Sequence, residues 1–123
     1  TSMVAQVQNG GLANIVAALV TASVAKYLQW GTGNNALQTA NAVTTAAAEA
    51  RTTGSMSAVT TTVTNDTLQV TGTITCAGAG KTISEVGVMD ASSGGNMIFY
   101  FDFTGIALLV GDSIAFTTRV KFA

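Results

Sequence analysis

The run TLQVTGTITC, Thr67 to Cys76, alternates apolar and polar residues with a period of two. Leu68, Val70, Ile74 and Cys76 fall on one side, and Thr67, Gln69, Thr71, Thr73 and Thr75 on the other. Successive side chains of a strand point to opposite faces, whereas a helix would scatter the same residues around its axis. The run therefore predicts a strand with one apolar face and one threonine face, as in an antiparallel sheet covered on one side. The final run SIAFTTRVKF repeats the pattern, with Ile114, Phe116, Val120 and Phe122 on one face and Ala115, Thr117, Arg119 and Lys121 on the other.

Turn residues separate further β-rich segments. SAVTTTVT leads through Asn65-Asp66 into the first run, which predicts a hairpin, because both residues tolerate positive φ. ISEVGVMD and MIFYFDF flank the turn ASSGGN, and Gly111-Asp112 precedes the last strand. Roughly half a dozen strands with short connections predict a mainly β fold, an antiparallel β-sandwich or jelly-roll-like domain. With no proline in the chain, its edge strands need another protection, such as neighbouring subunits.

The first third of the chain reads differently. NGGLANIVAALVTASVAKYLQWG places Leu12, Ile15, Val16, Leu19 and Val20 at helical spacing. This predicts an N-terminal α-helix with Asn9 as N-cap and Lys26 near the negative end of the helix dipole. The helix is apolar nearly all round and so calls for burial. KYLQWG then reads as a short strand, and Gly31, Gly33, Asn34 and Asn35 as a loop. In Leu37 to Arg51, rich in Ala and Thr, a short helix is expected around Ala46 to Arg51. At 123 residues the expectation is one domain over residues 1–123, with helix and short strand in 1–35 and the antiparallel β core in 54–123.

Charge narrows the function. Charged residues make up 9% of the chain and apolar ones 48%, against about 25% charged in an ordinary globular protein. A surface so poor in charge is covered by Thr, Ser, Asn and Gln or by neighbouring copies, which points to an obligate assembly. The net charge of −1 gives no steering toward nucleic acid or an anionic membrane. Leu12 to Ala25, interrupted by Asn14, Thr21 and Ser23, falls short of the ~20 apolar residues that span a bilayer. It also lacks the basic flank of a secretory signal. Thr1 is small enough to follow a removed initiator methionine, which fits assembly in the host cytoplasm.

The candidate chemistries are weak. CAGAGKT, Cys76 to Thr82, looks like the end of a phosphate-binding loop, but Thr75 stands where the first glycine belongs, and a β-branched segment follows instead of a helix. It reads as a glycine-rich hairpin turn. Asn65-Asp66-Thr67 is a glycosylation sequon without a secretory route. Asp66, Asp90, Asp102 and Asp112 lie near expected strand ends but match no calcium loop, and read as solvated turn carboxylates. Ser84, Ser113 or Cys76 as nucleophile would need a base, and the chain has no histidine. One cysteine and no histidine leave no zinc site of the usual ligands. Glu49 and Glu85 have no second carboxylate spaced to pair with them. No catalytic residue, metal or cofactor is expected. Tyr27, Trp30 and Tyr100 could stack on a sugar, or simply pack a core.

Taken in order, YLQWGTG, AEAR, TISEVGVMDASSGGNMIFYFDF and GDSIAFTTRVKF resemble a family of small structural proteins of tailed bacteriophages. There an NGGLANIV-like segment leads into Tyr-x-x-x-Gly-Thr-Gly, followed by an Ala/Glu-Arg element and a threonine-rich hairpin. An Ile-x-Glu-x-Gly strand, a Gly-Gly turn and a Gly-Asp-Ser/Thr strand complete the order, so that the resemblance covers Asn9 to Phe122. It implies a virion component without catalysis, either a capsid decoration (cement) protein or a tail, collar or fibre-base protein. A chain of this length without a repetitive shaft or receptor-binding tip tilts the expectation to decoration. That implies a homo-oligomer, a trimer at local threefold positions on the capsid surface, whose partner is the major capsid protein. Leu12, Ile15, Val16, Leu19, Tyr27 and Trp30 are the candidate self-assembly or capsid-docking surface. The alternative for the helix is that it caps its own sandwich.

Overall fold

A computed structural model describes residues 3, 6–35 and 38–122. Thr1 and Leu37, both used above, lie outside the described residues. The elements are α1 (Asn9–Ala22), β1 (Tyr27–Gly31), β2 (Thr52–Thr53), β3 (Ser55–Val59), β4 (Thr67–Thr75), β5 (Lys81–Met89), β6 (Met97–Leu108) and β7 (Ser113–Lys121). They form two antiparallel sheets, β2-β1-β5-β6 and β3-β4-β7. The fold is thus the expected antiparallel sandwich with an N-terminal helix.

Alternation sorts the core. Leu28 and Trp30 of β1 face inward with Ile83, Val86 and Val88 of β5, against Leu68, Val70 and Ile74 of β4 and Phe116 of β7. The Trp30 ring meets Phe116 edge-on at 6.4 Å, the favoured geometry for an aromatic pair. On α1, Val16 is buried and Leu19 and Val20 are half-buried, packed against the core with Met56 and Ala58 of β3. Full burial of a side chain such as Val16 contributes about 1.5–3 kcal/mol. The helix therefore caps its own sandwich, the second of the two roles set out above.

The two sheets join at Gly54. β2 belongs to one sheet and β3 to the other, with Gly54 alone between them. Its N–H donates to Lys26 O at 2.6 Å, and a Cβ here would lie 2.6 Å from Thr71 O. Only glycine lets the backbones approach so closely. On the opposite side of the sandwich the sheets are not joined. There β6 and β7 are the free edges of their respective sheets.

Several local expectations are corrected. Gln8, extended and without a side-chain cap, is the N-cap, while Asn9 is already helical. Lys26 is not in the last helical turn. The helix stops at Ser23 in the left-handed conformation (φ 58°), whose N–H reaches Leu19 O and Val20 O. Lys26 instead lies over the Tyr27 ring. No helix forms over Ala46–Arg51, because its backbone bonds elsewhere: Ala47 N–H donates to Trp30 O, and Ala46 makes an isolated bridge to Gly31. Residues 76–80 are not a hairpin turn, since they cross from β4 in one sheet to β5 in the other. Beyond Val59 the threonine run leaves the sheet and wraps around Asp66. Thr67, expected on the polar face, is buried with its hydroxyl on Asp66. Asp66 is itself buried rather than solvated, and Asp102 lies within β6 rather than near its end.

Candidate functional site

The residues that could carry chemistry are the acids, and the structure uses them as latches. Glu85 sits on the outer face of its sheet, opposite Gly31 of β1. A Cβ at Gly31 would lie 2.5 Å from Thr45 O and would collide with the Glu85 carboxylate, so glycine opens the space in which the carboxylate sits. There Glu85 accepts from Thr44 N–H at 2.7 Å, Thr45 N–H at 2.8 Å, Gly33 N–H at 3.0 Å and the Tyr100 hydroxyl at 2.8 Å. Burial pushes its pKa up, but the backbone N–H groups and Tyr100 outweigh it and hold the carboxyl below its ordinary range. Burial also raises the Tyr100 phenol. One carboxylate thereby fastens the long β1–β2 connection to the sheet at two points, near its start at Gly33 and beyond its middle at Thr44 and Thr45.

Glu49 works in the same way. Its oxygens accept from the Trp30 indole N–H at 2.9 Å and Ala77 N–H at 2.8 Å, and it pairs with the Lys81 ammonium. Burial acts to raise its pKa, but Lys81, Ala77 and Trp30 together bring it down to about 2. Asp66 accepts from the N–H groups of Thr61, Thr62 and Val63 and from the Thr67 hydroxyl. Those backbone donors, led by Val63, hold its carboxyl well below the usual range. Asp90 takes Asn96 N–H across the β5–β6 turn, and Asp112 takes Leu109 N–H across the β6–β7 turn. On the basic side, Arg51 donates to Ala91 O and Gly94 O, and Arg119 to Gln69.

A carboxylate whose lone pairs already hold several donors and whose pKa is depressed is a poor general base at neutral pH. Nor are the acids brought together. Among the described residues no group of three or more His, Cys, Asp or Glu is placed to hold a metal ion. Cys76 is buried, with its thiol toward Ala79 O. Among the described residues no helix is long and apolar enough to cross a membrane.

Of the six residues expected to form a docking surface, Leu12, Val16 and Trp30 are buried within the chain, Leu19 and Tyr27 are half-buried, and Ile15 is 39% exposed. The structure does not gather them into one outward patch. The sugar-stacking platform fails for the same reason, since Trp30 has no exposed face and the Tyr100 hydroxyl is held by Glu85.

The exposed apolar surface lies elsewhere. Between β6 and β7 the sandwich opens into a groove of about 600 Å³ whose apolar lining includes Phe103, Ile106, Ile114 and Phe116, with Asp102 and Arg119 on its rims. Beyond its end, Leu109 is 74% and Val110 59% exposed. A signal for this was present in the sequence. Ile106 to Val110 is a continuous apolar run in a chain whose other edges alternate, which breaks the pattern of a one-sided strand.

A family model described as podophage GP4 fiber I protein gp80 matches residues 6–120. No curated protein and no solved structure matches the chain. The matched span takes in the whole helix and every strand except Lys121, the last residue of β7, so that the latches and the open groove lie within it. The chain belongs to the family of the podophage GP4 fiber I protein gp80, a family of phage structural proteins of the virion.

Proposed function

We propose that this chain is a non-enzymatic building block of the phage fibre apparatus, acting as a homo-oligomer that packs against neighbouring virion proteins. The family match over residues 6–120 carries the reading. The placement of the acids supports it, because ionisable groups that elsewhere perform catalysis here fasten loops to sheets. A surface low in charge lies against protein neighbours with little desolvation of ions. That property would serve a shell-decorating cement protein bound to the major capsid protein equally well, and the fibre family is what favours the tail. Location on the particle tests the choice. Antibody labelling or cryo-EM of virions is expected to find few copies, clustered at the tail vertex. Copies spread over the whole capsid would refute the fibre reading and favour decoration.

A further inference from the structure

We infer that the open side of the sandwich is a self-association edge, where β6 of one copy pairs antiparallel with β7 of a second copy and Asp102 of the first meets Arg119 of the second. This deepens the building-block reading and rests on it only in expecting self-association. Both strands are edges of their sheets and lie on the same side of the molecule. β6 is also the longest strand, at 12 residues, and an exposed edge of that length offers a row of unpaired backbone groups to another chain.

Charge selects the occupant. Of the 6 acidic residues, Glu49, Asp66, Glu85, Asp90 and Asp112 accept hydrogen bonds within the chain. Asp102 alone has no such partner among the described residues, and it stands exposed on the β6 rim. On β7 the exposed charged residues are Arg119 and Lys121. Basic side chains alone would guard an edge against pairing. Opposite the Asp102 of another copy they become its complement. One rim is acidic and the other basic, so the surface is complementary to a second copy of itself.

Direction agrees as well. The turn at residues 109–112 reverses the chain, so β6 and β7 run in opposite senses. Rotation about an axis parallel to the strands keeps those senses and leaves every residue at its own height. β6 of one copy therefore meets β7 of the next antiparallel. Asp102 and Arg119 line the same groove. Because β6 bulges between Asp102 and Ile106, where residues 103–105 face residue 84 alone, Asp102 stands nearer the turn than Arg119 and meets it diagonally, within reach of a long side chain. The same contact repeats in any closed ring about that axis, and it covers Phe103, Ile106, Ile114 and Phe116.

The test uses the full chain in solution. Sedimentation velocity and light scattering at micromolar concentration are expected to show a discrete oligomer. Asp102→Arg should raise its dissociation constant by at least roughly tenfold, because arginine would then face Arg119. Adding Arg119→Asp should recover affinity to within about threefold of wild type. Trp30 fluorescence melts check that each variant is folded. A second measurement needs no affinity. Within one copy Asp102 and Thr117 lie on different sheets, about 10 Å apart face to face, beyond the ~7 Å reach of a disulfide between Cα atoms. Asp102→Cys with Thr117→Cys, oxidised, is therefore expected to give covalent bonds between copies, and either single variant none. A monomeric wild type, an oligomer indifferent to Asp102→Arg, a double variant that fails to recover, or a doubly substituted chain that stays uncrosslinked would each overturn the inference. Purified chain answers this question whatever its place on the virion, so failure here and failure of the fibre location are separate results.

Discussion

Replacing Glu85 by alanine tests whether the acids are latches. The substitution leaves the N–H groups of Gly33, Thr44 and Thr45 and the Tyr100 hydroxyl without their acceptor. An orphaned buried donor costs about 1–3 kcal/mol. Because the loop can relax and admit water at some of these positions, the lower end applies, which gives roughly 3–4 kcal/mol in total. Domains of this kind hold about 5–15 kcal/mol of stability, so the loss is a large fraction. At roughly 3–6 °C per kcal/mol for a chain of this size, the melting temperature should fall by about 10–20 °C. Glu85→Gln keeps the shape and one carbonyl oxygen, but turns an amide NH2 toward N–H donors, and about 2 kcal/mol is expected. The acid limb gives an independent reading. The folded pKa of Glu85 lies below its ordinary 4.5, so its contribution is present above that value and is lost as pH falls through the folded pKa. The gap between wild type and Glu85→Gln should therefore narrow as pH drops below about 4.5. Urea unfolding followed by the fluorescence of the single buried tryptophan measures both effects. A Glu85→Gln protein within about 0.5 kcal/mol of wild type at neutral pH, with a parallel acid limb, would refute the latch.

Two further outcomes follow from the same geometry. Glu49→Gln should flatten the loss of stability between the ordinary pKa of 4.5 and the depressed value of about 2, because a neutral amide no longer takes up the proton; acid titration of unfolding checks it. Gly54→Ala should destabilise by about 1–3 kcal/mol, since its Cβ would press on Thr71 O where the two sheets join; thermal unfolding measures the shift.

What was legible in the sequence was what depends on neighbours along the chain. The alternation of Leu68, Val70 and Ile74 and of Phe116 and Val120 marked β4 and β7 with their inner faces, and Asn65 (φ 55°) sat at the turn it signalled. The helix face was legible too, because Leu12 and Val16 recur at one turn's spacing. The latches were not. Glu85 reaches donors at Gly33 and Thr44 that only the pairing of β1 with β5 brings near, and no local pattern encodes that pairing. Trp30 shows the same limit from the other side. An aromatic beside a loop looks available for contact until the strand order places it under Phe116. The groove was missed because which strands are edges is a property of the completed sheets, although the unbroken run Ile106 to Val110 announced an exception.

The strand order also governs how the protein can be made. β1, near the N-terminus, pairs with β2 and with β5, at Tyr27↔Met89 among other positions. β4 takes its second neighbour from the last strand, at Thr67↔Lys121. A ribosome therefore releases β1 long before β5 exists, and the last ladder awaits residues 113–121. Long-range pairing of this kind is slow because the intervening loops must close first. During translation only the β3–β4 and β5–β6 hairpins have near partners along the chain, so the nascent chain carries an unfinished sandwich until elongation is nearly complete, and truncations that remove β7 strip a whole strand from beneath Trp30.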